Sequence, residues 1–285
     1  MTDSDPYPRL LGDSRLLRRV RLENLMLVAL GQRSCSQTTI PAELPSGELM
    51  GAAIDSEARP GLERVRSTAD PQEKLKAIAA LKKTMSEGFD RHVEGSEEYR
   101  ALESWARELG LKVDQVEVRP TVHEFYLYRS GEVLKWLQRL TEERGRLRKE
   151  ALKKPDPQRG ELQLAYPEEF NPTWIRQMGR LLGYPDCCAA RYAEDRAAGI
   201  NAEQRAAAQL KEARGADPYA YFTAYFFPCS PTCTNAVATG NRYHEALSGA
   251  LPKAGDLYEA SIQENLERVR NQPEIIGEYL KKIRG

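Results

Sequence analysis

Apolar residues recur every three or four positions along most of this chain, which is the spacing of one face of an α-helix. Tyr99, Leu102 and Trp105 fall on one face of a segment that begins at Ser96 and stops at Gly110. Serine is a favoured residue at a helix start and glycine at a helix end, so this segment is predicted to be a helix. The same reasoning predicts helices at 13–31, 70–86, 131–154, 171–182, 201–214, 256–271 and 274–283.

The period changes to two in residues 111–118 and 122–128, where apolar and polar side chains alternate. Alternation places successive side chains on opposite faces of a strand, so two strands are predicted, close enough in sequence to pair as a hairpin. A further short strand is predicted at 161–166.

Residues 36–69 carry prolines and glycines with little periodicity, which predicts a long loop. The fold class that follows is α+β, predominantly α-helical with a small β-sheet. We expect a mainly helical region over 1–115 and a cysteine-bearing α-rich domain over 116–285. The alternative is that the chain forms one domain.

The charge of the chain is balanced, with 42 Lys+Arg against 42 Asp+Glu in 285 residues. No overall field therefore draws the protein towards nucleic acid or a membrane. No apolar run reaches the roughly 18 residues that a membrane span needs, and the acidic start does not resemble a signal peptide. These features predict a cytoplasmic protein without a membrane partner.

One local excess of charge lies at the end of the predicted helix 131–154. A basic segment of this kind can contact phosphate. Cations also suit the negative end of the helix dipole, so a solvated helix end is the favoured interpretation and nucleic acid is not the favoured partner. The cations are Arg144, Arg146, Arg148, Lys149, Lys153 and Lys154.

Four of the five cysteines fall between Cys187 and Cys233. Cys187 and Cys233 each end an X-Pro-x-Cys tetrapeptide that precedes helical sequence, in YPDC and SPTC. Proline favours the first helical position, so both cysteines are expected at the third position of a helix, with Cys188 at the fourth and Cys229 just before the second helix. Free N–H groups there stabilise thiolates, the form of cysteine that binds metals.

Clustered cysteines in a reducing compartment are more often metal-binding or catalytic than disulfide-bonded. The expected cofactor is an iron–sulfur cluster held by Cys187, Cys188, Cys229 and Cys233, since adjacent side chains on a helix diverge by about 100° and fit separate corners of a cluster better than one ion. Cys188, deeper in its helix, is the candidate for a thiol that is not a ligand.

Three alternatives stay open for these cysteines. The first is a structural zinc site without catalysis, in which Cys229 and Cys233 form a ligand pair. The second is a thiol–disulfide redox protein, and the third is simple burial, since cysteine is among the most buried residue types. The sequence identifies no catalytic residue, and the substrate or redox partner stays unknown.

The segments GYPDCC (183–188) and FPCSPTC (227–233) resemble the signature of an uncharacterised prokaryotic family, domain of unknown function 483. The resemblance covers roughly residues 165–250. It implies no established reaction, and the signatures of nucleotide-binding loops, metalloproteases and serine hydrolases are absent from the sequence.

Overall fold

The computed structural model describes residues 5–153, 163 and 165–284. The chain divides into two compact units, each assembled from two stretches of sequence. The first unit is Met1–Leu25 with Ser36–Tyr128, and the second is Met26–Cys35 with Arg129–Gly285. The described residues are mainly helical with one small sheet, so the predicted α+β class is confirmed.

A three-stranded sheet lies in the first unit. Strand β2 (Lys112–Arg119) pairs with β3 (Val122–Tyr128) in antiparallel register, with Lys112 opposite Tyr128. This is the hairpin that the alternating pattern predicts. Strand β1 (Cys35–Ile40), which was not predicted, adds to the other side of β3 and gives the order β1-β3-β2.

Five helices accompany the sheet strands in the N-terminal part of the chain. Within the second helix a π-helical stretch, Val20–Met26, runs directly into an α-helical turn, Leu27–Ala29. A π-helical turn, Asp90–Glu94, likewise extends the fourth. The helices are α1 (Tyr7–Gly12), α2 (20–29), α3 (Gly47–Ser67), α4 (Pro71–Phe89) and α5 (Glu97–Glu108).

The prediction of a loop over 36–69 is wrong, since β1 and α3 occupy most of it. The apolar periodicity of α3 is weak in the sequence because most of the helix is exposed. Met50, Ile54 and Ala58 are buried on one face. Pro60 inside the helix further masks the signal. Helices α3 and α4 pack side by side as an antiparallel hairpin, which brings Leu81 against Gly61.

The second unit holds the remaining helices. Among its described residues, α7 packs on α8, and α10 packs on α11 and on a 3-10 turn at Pro218–Tyr221. Of the strand predicted at 161–166, residues 161, 162 and 164 lie outside the described residues. The helices are α6 (Gly131–Lys153), α7 (Pro172–Leu181), α8 (Asp186–Ala197), α9 (Ala202–Glu212), α10 (Thr234–Ala250) and α11 (Pro252–Arg284).

Close approach of the backbone fixes how α10 meets the turn before it. A Cβ at Gly240 would lie 2.2 Å from the carbonyl oxygen of Tyr219, so only glycine fits there. Within the described part of the chain, no helix is both long enough and apolar enough to span a membrane.

Candidate metal centre

The sulfurs of Cys187, Cys188, Cys229 and Cys233 converge in the second unit. The Sγ atoms of Cys187 and Cys188 are 3.9 Å apart, those of Cys187 and Cys233 3.7 Å, and those of Cys188 and Cys233 3.6 Å. All four lie within 4.8 Å of one another. Residues 46 positions apart in sequence therefore share one site, as the paired motifs predict.

The adjacent pair comes from the first turn of α8. Pro185 is the N-cap of this helix, so Cys187 is its second residue and Cys188 its third, one position earlier than predicted. The backbone N–H of Cys188 donates to the carbonyl oxygen of Pro185 at 2.9 Å. Both side chains still reach one centre, although the sequence argument expects adjacent cysteines to diverge.

The position of Cys233 in its helix differs more from the predicted one. It is the N-cap of α10 rather than its third residue. The N–H of Cys233 donates to the Ser230 carbonyl at 3.1 Å, which closes a turn around Pro231, and the Pro231 carbonyl accepts from the N–H of Asp217 at 3.1 Å. Pro231 therefore lies in a turn before the helix and not at its first position.

Two N–H groups point at the sulfurs. The backbone N–H of Cys229 donates to Cys188 Sγ at 3.4 Å, and the side-chain amide of Asn235 donates to Cys187 Sγ at the same distance. The argument that Cys188 lacks N–H support, and so stands apart from the ligands, does not hold in this geometry. Such N–H···S contacts stabilise thiolates in metal centres.

Burial and hydrogen bonding shift the pKa values of the thiols in different directions. Burial raises the pKa of the Cys188 thiol far above its usual range, and burial together with the neighbouring Cys233 raises the pKa of Cys229 to about 11. Burial also acts to raise the pKa of Cys187, but hydrogen bonds from Asn235 and the neighbouring thiols outweigh it, so that pKa is lowered. Cys187 therefore ionises more readily than Cys188 and Cys229 in the metal-free protein.

Solvent exposure divides the four thiols differently from their pKa shifts. The side chains of Cys188 and Cys233 are buried, with 1% and 7% of their surface accessible, whereas Cys187 and Cys229 are partly exposed. Cys35, the fifth cysteine, is also buried, and it is not part of this cluster. The centre therefore sits at the edge of the core with two thiols inward and two reachable from solvent.

A buried charge network holds the segment that carries Cys229. Arg205 on α9 donates to Asp195 at 2.8 Å and to the Pro228 carbonyl at 2.7 Å, and Gln209 donates to the Cys229 carbonyl at 3.2 Å. Sequence reasoning missed these residues. A signal was present, because Asp195 lies seven positions after Cys188 and so shares its side of α8.

Aromatic side chains pack behind the cysteines. Phe222 and Phe226 have ring centroids 4.4 Å apart, Tyr184 lies 5.2 Å from Phe226, and Tyr243 lies 5.6 Å from Phe222. The aromatic run 219–227 thus supplies core packing beside the site. Tyr225 is the exception, with an exposed ring and a backbone φ of 60°.

The basic end of α6 does not form a free patch. Arg146 pairs with Glu143 and Glu150, and Arg148 donates to Glu168, which is buried. Arg144 is buried as well, 3.8 Å from the same Glu168. Arg144 and Arg148 are therefore used inside the fold, whereas Arg146, Lys149 and Lys153 are exposed; Lys154 lies outside the described residues.

A family model matches a part of this chain. Residues 161–248 match the model of DUF483, a family described as a protein of unknown function. The match contains all four clustered cysteines and confirms the predicted resemblance to this family. No curated protein and no solved structure matches the chain.

Proposed function

We propose that this protein binds one metal ion through Cys187, Cys188, Cys229 and Cys233, and that the ion is zinc in a structural role. The spacing of the sulfurs carries the proposal. A tetrahedral ion with metal–sulfur bonds of about 2.3 Å separates its sulfurs by about 3.8 Å. The three sulfur–sulfur distances of 3.6 to 3.9 Å among Cys187, Cys188 and Cys233 agree with that value.

The structural role follows from the number of ligands. Four protein thiolates complete a tetrahedral site and leave no position for water or substrate, which is the pattern of structural rather than catalytic zinc. The ion joins the start of α8 to the turn before α10. Metal binding then contributes directly to the folding free energy of this part of the chain.

An iron–sulfur cluster, the cofactor favoured by the sequence, is the second candidate. The N–H groups of Cys229 and Asn235 that point at the sulfurs support it, because such donors tune these clusters. Its weakness is the spacing, since a cubane cluster interposes irons and sulfides between the thiolates and holds them further apart than one ion does.

Metal analysis of protein purified without oxygen separates the candidates. The proposal expects colourless protein with about one zinc per chain and no acid-labile sulfide. Replacement of zinc by cobalt should give the strong visible absorption of a tetrahedral thiolate site. Brown protein with iron and sulfide in similar amounts would contradict the zinc proposal and identify the cofactor as an iron–sulfur cluster. Fully reduced protein that holds no metal, and that forms a reversible disulfide, would favour the thiol–disulfide alternative.

A further inference from the structure

Solvent reaches one cysteine from each of the two segments that form the candidate metal centre. Cys187 in the first turn of α8 and Cys229 in the loop before α10 are partly exposed, whereas Cys188 and Cys233 are buried. Asn235, whose side-chain amide donates to the sulfur of Cys187, is itself exposed. A small polar reagent in solution therefore has access to one sulfur on each side of the centre.

Two conditions decide which cysteines a peroxide oxidises, namely thiolate character and exposure to solvent. All four cysteines are thiolates when they hold a metal ion, because the thiolate is the form that binds metal. Only Cys187 and Cys229 are also exposed. These two are therefore the sulfurs that a peroxide in solution attacks.

We infer that the centre is a redox switch, in which a small peroxide exchanges the metal ion for a disulfide between Cys187 and Cys229. This rests on the proposed zinc site and adds a regulatory role to its structural one. The sulfurs of the cluster lie within 4.8 Å of one another, so release of the ion lets two of them close to bonding distance. The disulfide joins the same two segments that the ion joins, the first turn of α8 and the loop before α10.

The oxidation proceeds in two steps. The Cys187 thiolate attacks one oxygen of hydrogen peroxide, so that a sulfur–oxygen bond forms, the oxygen–oxygen bond breaks and hydroxide leaves with the electron pair. The Cys229 thiolate then attacks the sulfur of Cys187, so that a sulfur–sulfur bond forms and the second hydroxide leaves. The two sulfurs together lose two electrons to the peroxide, and each hydroxide takes a proton from solvent to become water. Loss of two of its four ligands releases the ion.

Other pairings of the four cysteines are less favourable. The Cα atoms of adjacent residues are about 3.8 Å apart, which is shorter than the roughly 4.4 Å that a disulfide needs, so Cys187 does not pair with Cys188. The sulfur of Cys233 lies 3.7 Å from that of Cys187, and a bond between them would still join the two segments, but Cys233 is buried. A bond between Cys229 and Cys233 would lie within one segment and would leave α8 without a link.

Asn235 restrains the first step. Its side-chain N–H donates to the sulfur of Cys187 at 3.4 Å, and a donor that stabilises a thiolate makes it less nucleophilic. Asn235→Ala should therefore accelerate the oxidation at least about threefold, the change that a Brønsted coefficient of about 0.4–0.5 gives for one unit of thiol basicity. Asn241→Ala is the matched control, because it removes an exposed asparagine from the same helix, and its rate should be unchanged.

Zinc release from the full-length, zinc-loaded protein tests the switch, with hydrogen peroxide as the oxidant and a chromogenic chelator as the reporter. We expect release at a rate proportional to the peroxide concentration, and recovery of zinc binding after treatment with a dithiol reductant.

Mass spectrometry of tryptic peptides locates the disulfide, because trypsin places Cys187 in the peptide 181–191 and Cys229 in the peptide 215–242. We expect these two peptides to be cross-linked, with Cys188 and Cys233 still available for alkylation. Since the disulfide keeps the segments joined, amide hydrogen exchange in α8 should be slower in the oxidised protein than in protein from which a chelator has removed the zinc.

Three results would overturn the switch and leave the zinc site standing. One is zinc-loaded protein that keeps its metal in about a hundredfold molar excess of peroxide. Another is zinc release whose rate does not depend on the peroxide concentration. The third is a disulfide confined to the peptide 215–242 or formed between two protein molecules. Protein that binds no zinc at all would instead contradict the proposed function, so the two failures are distinguishable.

Discussion

Cys188 shows how a single side chain changes the interpretation of the site. By sequence it was the candidate for a spare thiol, because it lies one residue deeper in its helix than Cys187. In the structure its sulfur is buried, lies 3.6 Å from that of Cys233 and accepts the N–H of Cys229. The N–H donor comes from a residue 41 positions away, which no local helix argument could supply.

We therefore expect each of the variants Cys187→Ala, Cys188→Ala, Cys229→Ala and Cys233→Ala to lose tightly bound metal. Removal of one thiolate opens the tetrahedral site, and the metal-binding free energy is also folding free energy. Metal content by elemental analysis and melting temperature measure the effect. Cys35→Ala is the control, since it removes a buried cysteine outside the cluster and should keep its metal. A metal-loaded Cys188→Ala protein would restore the three-ligand interpretation.

The raised thiol pKa values predict how metal affinity depends on pH. Cys188 and Cys229 are protonated thiols at neutral pH in the metal-free protein, because their pKa values lie above the usual range. Metal must displace both protons, so acid weakens binding and base strengthens it. With at least these two protons released, the affinity should rise by at least about a hundredfold per pH unit.

Competition with a chelator from about pH 6 to 8 measures that slope, and calorimetry in buffers of different ionisation enthalpy counts the protons. The Cys35→Ala variant should give the same slope as the unaltered protein. An affinity that does not change with pH would show that the thiols are already ionised before metal binds.

At the scale of elements, the helices with one strongly apolar face were predictable. Ser96 is the N-cap of α5, as predicted, and the side-chain oxygen of Ser96 accepts the N–H of Tyr99. Helix α3 was missed because most of its surface is exposed and its buried positions are few. Strand β1 was missed because pairing with a distant strand, not its own alternation, decides its conformation.

The network around Arg205 gives a prediction about α9. Arg205→Ala removes one of the two arginine partners of buried Asp195, which keeps Arg191, and removes the donor to the Pro228 carbonyl. Loss of one member of a buried ion pair costs about 3–5 kcal/mol when the other charge is left unpaired. Since Asp195 keeps Arg191, the free energy of unfolding should fall by less, about 1–3 kcal/mol. Since the carbonyl contact orients the Cys229 segment, metal affinity should fall by about 10- to 100-fold as well.

Urea denaturation and chelator competition measure the two effects. Arg270→Ala is the matched control, because it breaks an exposed pair with Glu267 and should cost less than about 1 kcal/mol. A loss of stability with unchanged metal affinity would confine Arg205 to a structural role away from the centre.

For the whole molecule, the sequence predicts the fold class and the cysteine cluster but not the path of the chain between its units. The predicted division at residue 115 stays a prediction, and the compact first unit continues to Tyr128, because β2 and β3 pair with each other. The short stretch Met26–Cys35 joins the second unit. Such assignments depend on contacts distant in sequence, which propensity and periodicity do not encode.

The placement of all four cysteines in the second unit predicts where metal removal acts. Chelation should increase amide hydrogen exchange in α8, in the turn before α10 and in the first turns of α10, because the centre joins these elements. Exchange in the α3–α4 hairpin should stay unchanged. Mass-spectrometric exchange on the full-length protein, with and without a chelator, measures both regions. Cys187→Ala without a chelator should reproduce the pattern, since it removes the same ion by a different route. An increase spread evenly over both units would mean that the metal governs the stability of the whole chain instead of one site.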